Sequence, residues 1–172
     1  MSKTLDLGCG LNPRNPFNAG EIFGVDIQEI KGKNFFQVDV NIDPLPFKDN
    51  FFDYVTAFDF LEHVPRLIYI PHRKFPFVDL MSEIFRVLKP GGKFLSYTPA
   101  FPCAQAFRDP THINFITFET LPLYFDIKNC MAQPYGFIGG FEIEKHEWNT
   151  KHWWKKKTHI NSILVKPMNK LL

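Results

Sequence analysis

The sequence predicts one domain, residues 1–172, built on a mostly parallel α/β sheet of about seven strands, with helices on both faces and an antiparallel C-terminal hairpin. Three observations carry this prediction. Short apolar runs recur through the first half, and each reaches a glycine turn or an acid at its end, as buried parallel strands do when their C-termini share a rim. A run of helical period is followed at once by a glycine turn and another strand. The last two apolar runs are joined by a short basic and aromatic segment that suits an antiparallel connection.

Taken in order, the first run, residues 4–7, ends at Gly8-Cys9-Gly10, and the second, 22–27, reaches Asp26. The third, 35–40, reaches Asp39; the fourth, 52–58, runs into Asp59 and then Leu61-Glu62-His63-Val64. Residues 78–88 set Leu80, Ile84, Val87 and Leu88 at helical spacing, and Lys89-Pro90-Gly91-Gly92 stops that helix before a strand over 93–97. Thr117 opens a short helix over 117–124 with Glu119 in its first turn, and Pro122 limits its regularity. Residues 141–148 and 160–165 are the closing strands. No linker or repeat divides the chain, so ligands are expected beyond the strand C-termini of one sheet.

Composition narrows the classes further. With 45% apolar and 22% charged residues, the chain can bury a sizeable core. It lacks a signal-peptide pattern and any apolar run near the roughly 18 residues of a bilayer span, which predicts a soluble cytoplasmic protein. Cys9, Cys103 and Cys130 are odd in number and scattered, and the six histidines show no ligand spacing such as HExxH, so neither disulfides nor a required metal is expected. Residues 145–172 carry seven lysines against the single acid Glu147. Within them, Lys151-His152-Trp153-Trp154-Lys155-Lys156-Lys157 mixes cations with stacking surfaces, as single-stranded nucleic-acid sites do, although a solvated hairpin tip is the commoner explanation. Twenty phenylalanines signal an aromatic core or an aromatic-lined pocket without choosing between them.

Five blocks stand in a telling order: Leu5-Asp6-Leu7-Gly8-Cys9-Gly10, Gly24-Val25-Asp26-Ile27, Phe52-Asp53-Tyr54-Val55, Leu61-Glu62-His63-Val64 and Leu88-Lys89-Pro90-Gly91-Gly92. Together they resemble the class I S-adenosylmethionine-dependent methyltransferase family, in an abbreviated type 11-like form, over residues 3–99. The resemblance implies a Rossmann-like sheet and S-adenosylmethionine as cofactor, with S-adenosylhomocysteine as product. It also implies in-line transfer of the sulfonium methyl, driven mostly by alignment of the reactants. Gly8 and Gly10, with Cys9 between them, are expected to bring bare backbone to the ligand. Asp26 would accept hydrogen bonds from both ribose hydroxyls, with Ile27 beside it. Asp39 would meet the adenine amino group while Val40 packs on the ring, Asp43 being a rival for that contact. Phe58 and Asp59 would face the methionine end, Asp6 would support its ammonium through water, and Phe58, Phe60 and Tyr97 are candidates to cradle the sulfonium.

Departures from the family pattern shape the remaining expectations. Leu11-Asn12-Pro13-Arg14-Asn15-Pro16 stands where most relatives continue into a long helix, and two prolines leave that helix short or absent. The same prolines disfavour a nicotinamide-dependent oxidoreductase, whose pyrophosphate needs that helix N-terminus. Residues 65–76 form an insertion, and the chain starts almost at the first strand, without room for helices that cap the cofactor in many relatives. Residues 65–76 and 101–118 are therefore expected to hold the methyl acceptor. His112 with Asp109 is the candidate general-base pair, a loop-ordering hydrogen bond being the equal alternative. Glu62 and His63 are better explained as a helix-start pair than as catalysts. A small molecule or glycan-type acceptor is the leading expectation. A nucleic-acid substrate for the basic hairpin and a non-catalytic cofactor-fold module are the alternatives, and a homodimer is an open reading.

Overall fold

Each apolar run forms its strand where turns bracket it. The computed structural model describes residues 1–149 and 157–168. Strands β1 (Lys3–Leu7), β2 (Glu21–Asp26), β3 (Phe35–Gln37) and β4 (Phe52–Phe58) are followed by a small ribbon of β5 (Ile68–Tyr69) and β6 (Arg73–Lys74) inside the 65–76 insertion. Helix α1 (Pro76–Val87) and strand β7 (Leu88–Pro99) come next, then the short helix α2 (Thr120–Tyr124) and the closing strands β8 (Glu142–Trp148) and β9 (His159–Val165). Seven strands make one sheet in the order β3-β2-β1-β4-β7-β9-β8. The first five run parallel, and β9 lies antiparallel to both β7 and β8. The chain leaves β1 toward β2 on one side while β4 fills the other, which opens a crevice above the β1 C-terminus.

Local chemistry explains where elements stop. The third strand ends at Gln37 rather than at residue 40, because Asp39 closes a turn. Its carboxylate accepts the Asn41 N–H at 3.0 Å, and its carbonyl accepts those of Ile42 and Asp43. Residues 11–20 contain no helix: the Asn15 side chain ties the loop to Ala19, and the Arg14 N–H donates to Asp6. Pro76 opens α1 with a φ already set for a helix, and Asp79 complements its N-terminal dipole. The Gly91-Gly92 turn does not cap α1. The strand follows Val87 directly, while Asn50 N–H, Phe51 N–H and the Lys166 ammonium take up the carbonyls of Arg86, Val87 and Phe85. In α2 the Thr117 N–H donates to the Thr120 hydroxyl, so the helix starts later than expected.

Phe77, Leu80, Met81, Ile84 and Val87 form the buried face of α1 against the sheet, each contributing about 1.5–3 kcal/mol when fully removed from water. On the β2 side, Phe23, Phe47, Phe51 and Phe52 pack mostly edge to face, with the Phe23 and Phe52 centroids 5.4 Å apart. Among the described residues, no helix is long and apolar enough to cross a membrane. The basic and aromatic segment read as a hairpin tip, residues 151–157, lies outside the described residues except for Lys157.

Candidate functional site

The β1 and β2 C-termini deliver their motifs to two adjoining cavities that share Gly8. The larger, about 760 Å³, is lined by Gly8, Asp26, Ile27, Gln28, Val38, Asp39, Val40, Asp59, Phe60 and His63, among others. The smaller, about 270 Å³, is lined by Asp6, Cys9, Gly10, Arg14 and Phe58 with Gly8 and the following loop. Asp6, Gly8, Cys9, Gly10, Asp26, Ile27, Asp39, Val40, Phe58, Asp59 and Phe60, all nominated from the sequence, line one or the other, whereas Tyr97 lines neither. Asp43 lies on a different cavity, so the geometry separates it from Asp39.

Asp26 anchors the turn as well as facing the cavity. One carboxylate oxygen accepts the Gly10 N–H at 2.9 Å and the other accepts the Gln28 N–H at 2.9 Å. Each oxygen keeps a further acceptor site for a ligand hydroxyl. Gly8 and Gly10 hold φ of +63° and +51°, a region that side chains oppose, and the Val25 carbonyl accepts the N–H groups of Gly8 and Cys9. Around a Cβ added at Gly10 there is open space, whereas one at Gly8 would strike the Phe60 ring. The Gly8 backbone therefore makes room for Phe60, and Gly10 leaves its face open to a ligand.

Neighbouring groups are already committed. Buried Asp6 accepts from the Thr56 hydroxyl at 2.6 Å and from the Arg14 N–H at 2.7 Å, and burial raises its pKa. Burial pushes the Cys9 thiol up to about 11, which removes it as a nucleophile near neutral pH. Arg14 sets its guanidinium 4.6 Å over the Phe58 ring, and Tyr97 stacks on His159, so two of the three aromatics expected to cradle a cation hold other partners. Asp59, itself at a φ of +50°, accepts from His159 Nε2 at 3.0 Å and lies 3.9 Å from Arg14. The His159 hydrogen bond, opposed by partial burial and helped by the charges of His159 and Arg14, holds the Asp59 pKa low. His159 and Arg14 were not nominated from the sequence. The register that pairs His159 with Pro99 brings it to the rim, and no local pattern announces that pairing.

Residues 111–117, which form neither helix nor strand, make a strap bonded to the Leu61–His63 turn that follows β4. Its N–H groups at Ile113 and Asn114 both donate to the Glu62 carbonyl, and buried Asn114 donates to Leu61 O at 3.1 Å while accepting from Arg66 Nε at 2.7 Å. Asp109 accepts from the Thr111 N–H and hydroxyl, and it stands 4.0 Å from His112 Nε2, too far for a hydrogen bond. The loop-ordering role of Asp109 is thus the one with bonds in place. Glu62 is almost fully buried, accepts from the Thr98 hydroxyl at 2.9 Å, and has its pKa raised by burial.

Beyond the strap lies a groove of about 610 Å³, walled by Phe75, Phe77, Phe101, Phe107, Phe115, Tyr124 and Tyr135 with Arg66 and Leu67. The two segments nominated as acceptor loops, 65–76 and 101–118, meet here. Strap residues Thr111 and Ile113 line the Asp26 cavity, while Phe115 and Thr117 line the groove.

Residues 5–96 match the family model described as a methyltransferase domain. The chain is 36% identical over 112 residues to squalene methyltransferase 1 of Botryococcus braunii, covering 55% of this chain and 27% of that protein. It is 30% identical over 125 residues to a demethylmenaquinone methyltransferase of Anoxybacillus flavithermus, covering 62% of this chain and 48% of the relative. The chain thus spans a quarter to a half of the length of these curated relatives. In fold it superposes on the [4+2]-cyclase SpnF with a TM-score of 0.67 and 19% identity, over 98% of this chain and 75% of that one.

Proposed function

The chain belongs to the methyltransferase domain family, and on that premise we propose that it transfers a methyl group from S-adenosylmethionine to a small, largely apolar acceptor seated in the aromatic groove. The observation that carries the reading is the open backbone face at Gly10 beside the Asp26 carboxylate, where a nucleoside with an amino-acid tail fits and no phosphate has to be held. When bound, the cofactor supplies an electrophilic methyl on a sulfonium. Asp26 would take the ribose hydroxyls on its remaining acceptor sites, and Asp39 with Val40 would receive the adenine. Asp6 and the loop at Arg14 would meet the amino-acid end. No covalent intermediate with the protein is required, so the chain's main task is to align and dehydrate the two reactants.

The acceptor class follows from the groove lining. The walls are mostly aromatic and aliphatic, and of the polar lining residues Arg66, Thr117, Glu119 and Thr120, Arg66 is bonded to Asn114 and the two threonines to each other, so the groove suits an isoprenoid or quinone-like molecule better than a sugar. The relatives named for squalene and demethylmenaquinone support the same direction.

Isothermal titration with S-adenosylhomocysteine tests the cofactor part: binding to the native chain is expected, and Asp26→Ala should weaken it at least tenfold, about 1.4 kcal/mol. Unchanged affinity in that variant overturns the assignment. A methyl-transfer screen of isoprenoid quinols, triterpenes and sugars, read by release of S-adenosylhomocysteine, tests the acceptor part. Turnover confined to sugars would refute the apolar reading.

A further inference from the structure

The strap returns to the sheet beside the Leu61–His63 turn and brings together three groups that are far apart in sequence. One carboxylate oxygen of Glu62 and one imidazole nitrogen from each of His63 and His112 all lie within 4.8 Å of one another. The local hydrogen bonding leaves these groups available. Glu62 Oε2 is held by Thr98, but among the described residues neither buried Glu62 Oε1 nor His112 Nδ1 has a hydrogen-bond partner. Glu62 is 1% exposed, so bulk solvent does not reach this oxygen. His112 Nε2 stands 3.9 Å from Glu62 Oε1, near enough for attraction and too far for a hydrogen bond. His63 is oriented from behind, its Nδ1 lying 3.0 Å from the Thr111 hydroxyl. A buried carboxylate oxygen without a partner, 3.9 Å from one imidazole nitrogen and close to a second imidazole, is an arrangement that suits a bound cation.

We propose that Glu62, His63 and His112 form a binding site for a divalent transition-metal ion of the zinc, cobalt or iron(II) class. Two imidazoles and one carboxylate are borderline ligands that favour such ions over magnesium or calcium, which prefer all-oxygen shells. Bonds of about 2.1 Å at a tetrahedral angle put ligand atoms roughly 3.4 Å apart, so the 3.9 Å between Glu62 and His112 would close by about 0.5 Å, and a pair at the 4.8 Å limit by about 1.4 Å, around an ion. Three protein ligands leave at least one position open, as in metal sites that bind a water or substrate oxygen. That position can face the cavity, since His63 and Thr111 line its wall, and Asp109 Oδ2 stands 4.0 Å from His112 Nε2 as a further donor. The site does not depend on the methyl-donor reading: an ion can bind whether or not a nucleoside occupies the cavity.

Titration of the tag-free chain with cobalt(II), followed by visible absorption and by equilibrium dialysis, tests the proposal without cofactor or acceptor. One ion per chain with d–d bands of low coordination number is expected, displaced by zinc. His63→Gln, His112→Asn and Glu62→Gln should each weaken binding at least about tenfold, while His72→Gln, in the exposed loop, should leave it unchanged. Thermal melts establish that the variants are folded, and His63, less buried than Glu62, carries the test should the buried position not tolerate substitution. Failure of cobalt and zinc to bind, or affinity unchanged from the native chain in all three ligand variants, overturns the site. Neither result bears on binding of S-adenosylhomocysteine.

Discussion

At Gly8 and Gly10 one backbone conformation serves two ends. Both residues hold a positive φ, but the ring of Phe60 occupies the space beside Gly8, whereas nothing lies within 4 Å of a Cβ built at Gly10. Alanine at Gly10 therefore meets only the left-handed strain of about 1–2 kcal/mol, while alanine at Gly8 adds a collision that Phe60 must relieve. Thermal melts should place Gly8→Ala clearly below Gly10→Ala. Gly10→Ala should stay folded and bind S-adenosylhomocysteine at least tenfold more weakly; unchanged binding would move the ligand away from that face. Asp26 and Asp39 were legible in place because an apolar run reaches each, while Asp6 and the ligand roles of all three came only through the family resemblance. Arg14 and His159 were not legible. Arg14 reaches Asp59 through a loop whose path depends on side-chain hydrogen bonds, and His159 reaches it through a pairing register set across the whole sheet.

At the scale of elements, periodicity located nearly every strand and α1, and the errors fell where side chains compete with the backbone. Asp39 ended the third strand early, and Thr120 delayed α2. The hairpin of β8 and β9 was expected, but its insertion order was not: β9 pairs with β7 and leaves β8 at the edge. That edge is fastened by His146, whose Nε2–H donates to Phe118 O at 2.6 Å while Nδ1 accepts from the Ser162 hydroxyl at 2.9 Å. Burial lowers the His146 pKa, partly offset by the Phe118 hydrogen bond, so the folded state favours the neutral ring. The sign is clear: the unfolded chain takes up the proton first, near pH 6.5. The stabilisation is therefore complete above that pH and is lost as the pH falls toward the lower folded-state value. Urea unfolding at pH 7.5 and pH 5 should show a larger loss for the native chain than for His146→Gln; equal losses would mean that His146 titrates alike in both states.

Across the whole molecule, the strap of residues 111–117 divides two environments with different chemistry. On one side are carboxylates and bare backbone; on the other is a wall of aromatic rings. A division of this kind separates affinity for the two substrates, because a change in one wall leaves the other intact. Phe107 is the position to probe. Its ring stacks on Phe115 with centroids 4.8 Å apart, yet the residue is 48% exposed, so truncation opens the groove without cutting into the core. Phe107→Ala should therefore cost little stability. Losing one aromatic wall in a mostly apolar site removes roughly 1–3 kcal/mol of acceptor binding, about fivefold or more in KM. Affinity for S-adenosylhomocysteine should not change. A loss of cofactor affinity equal to the loss in KM would show that the two cavities act as one, with the strap transmitting rather than dividing.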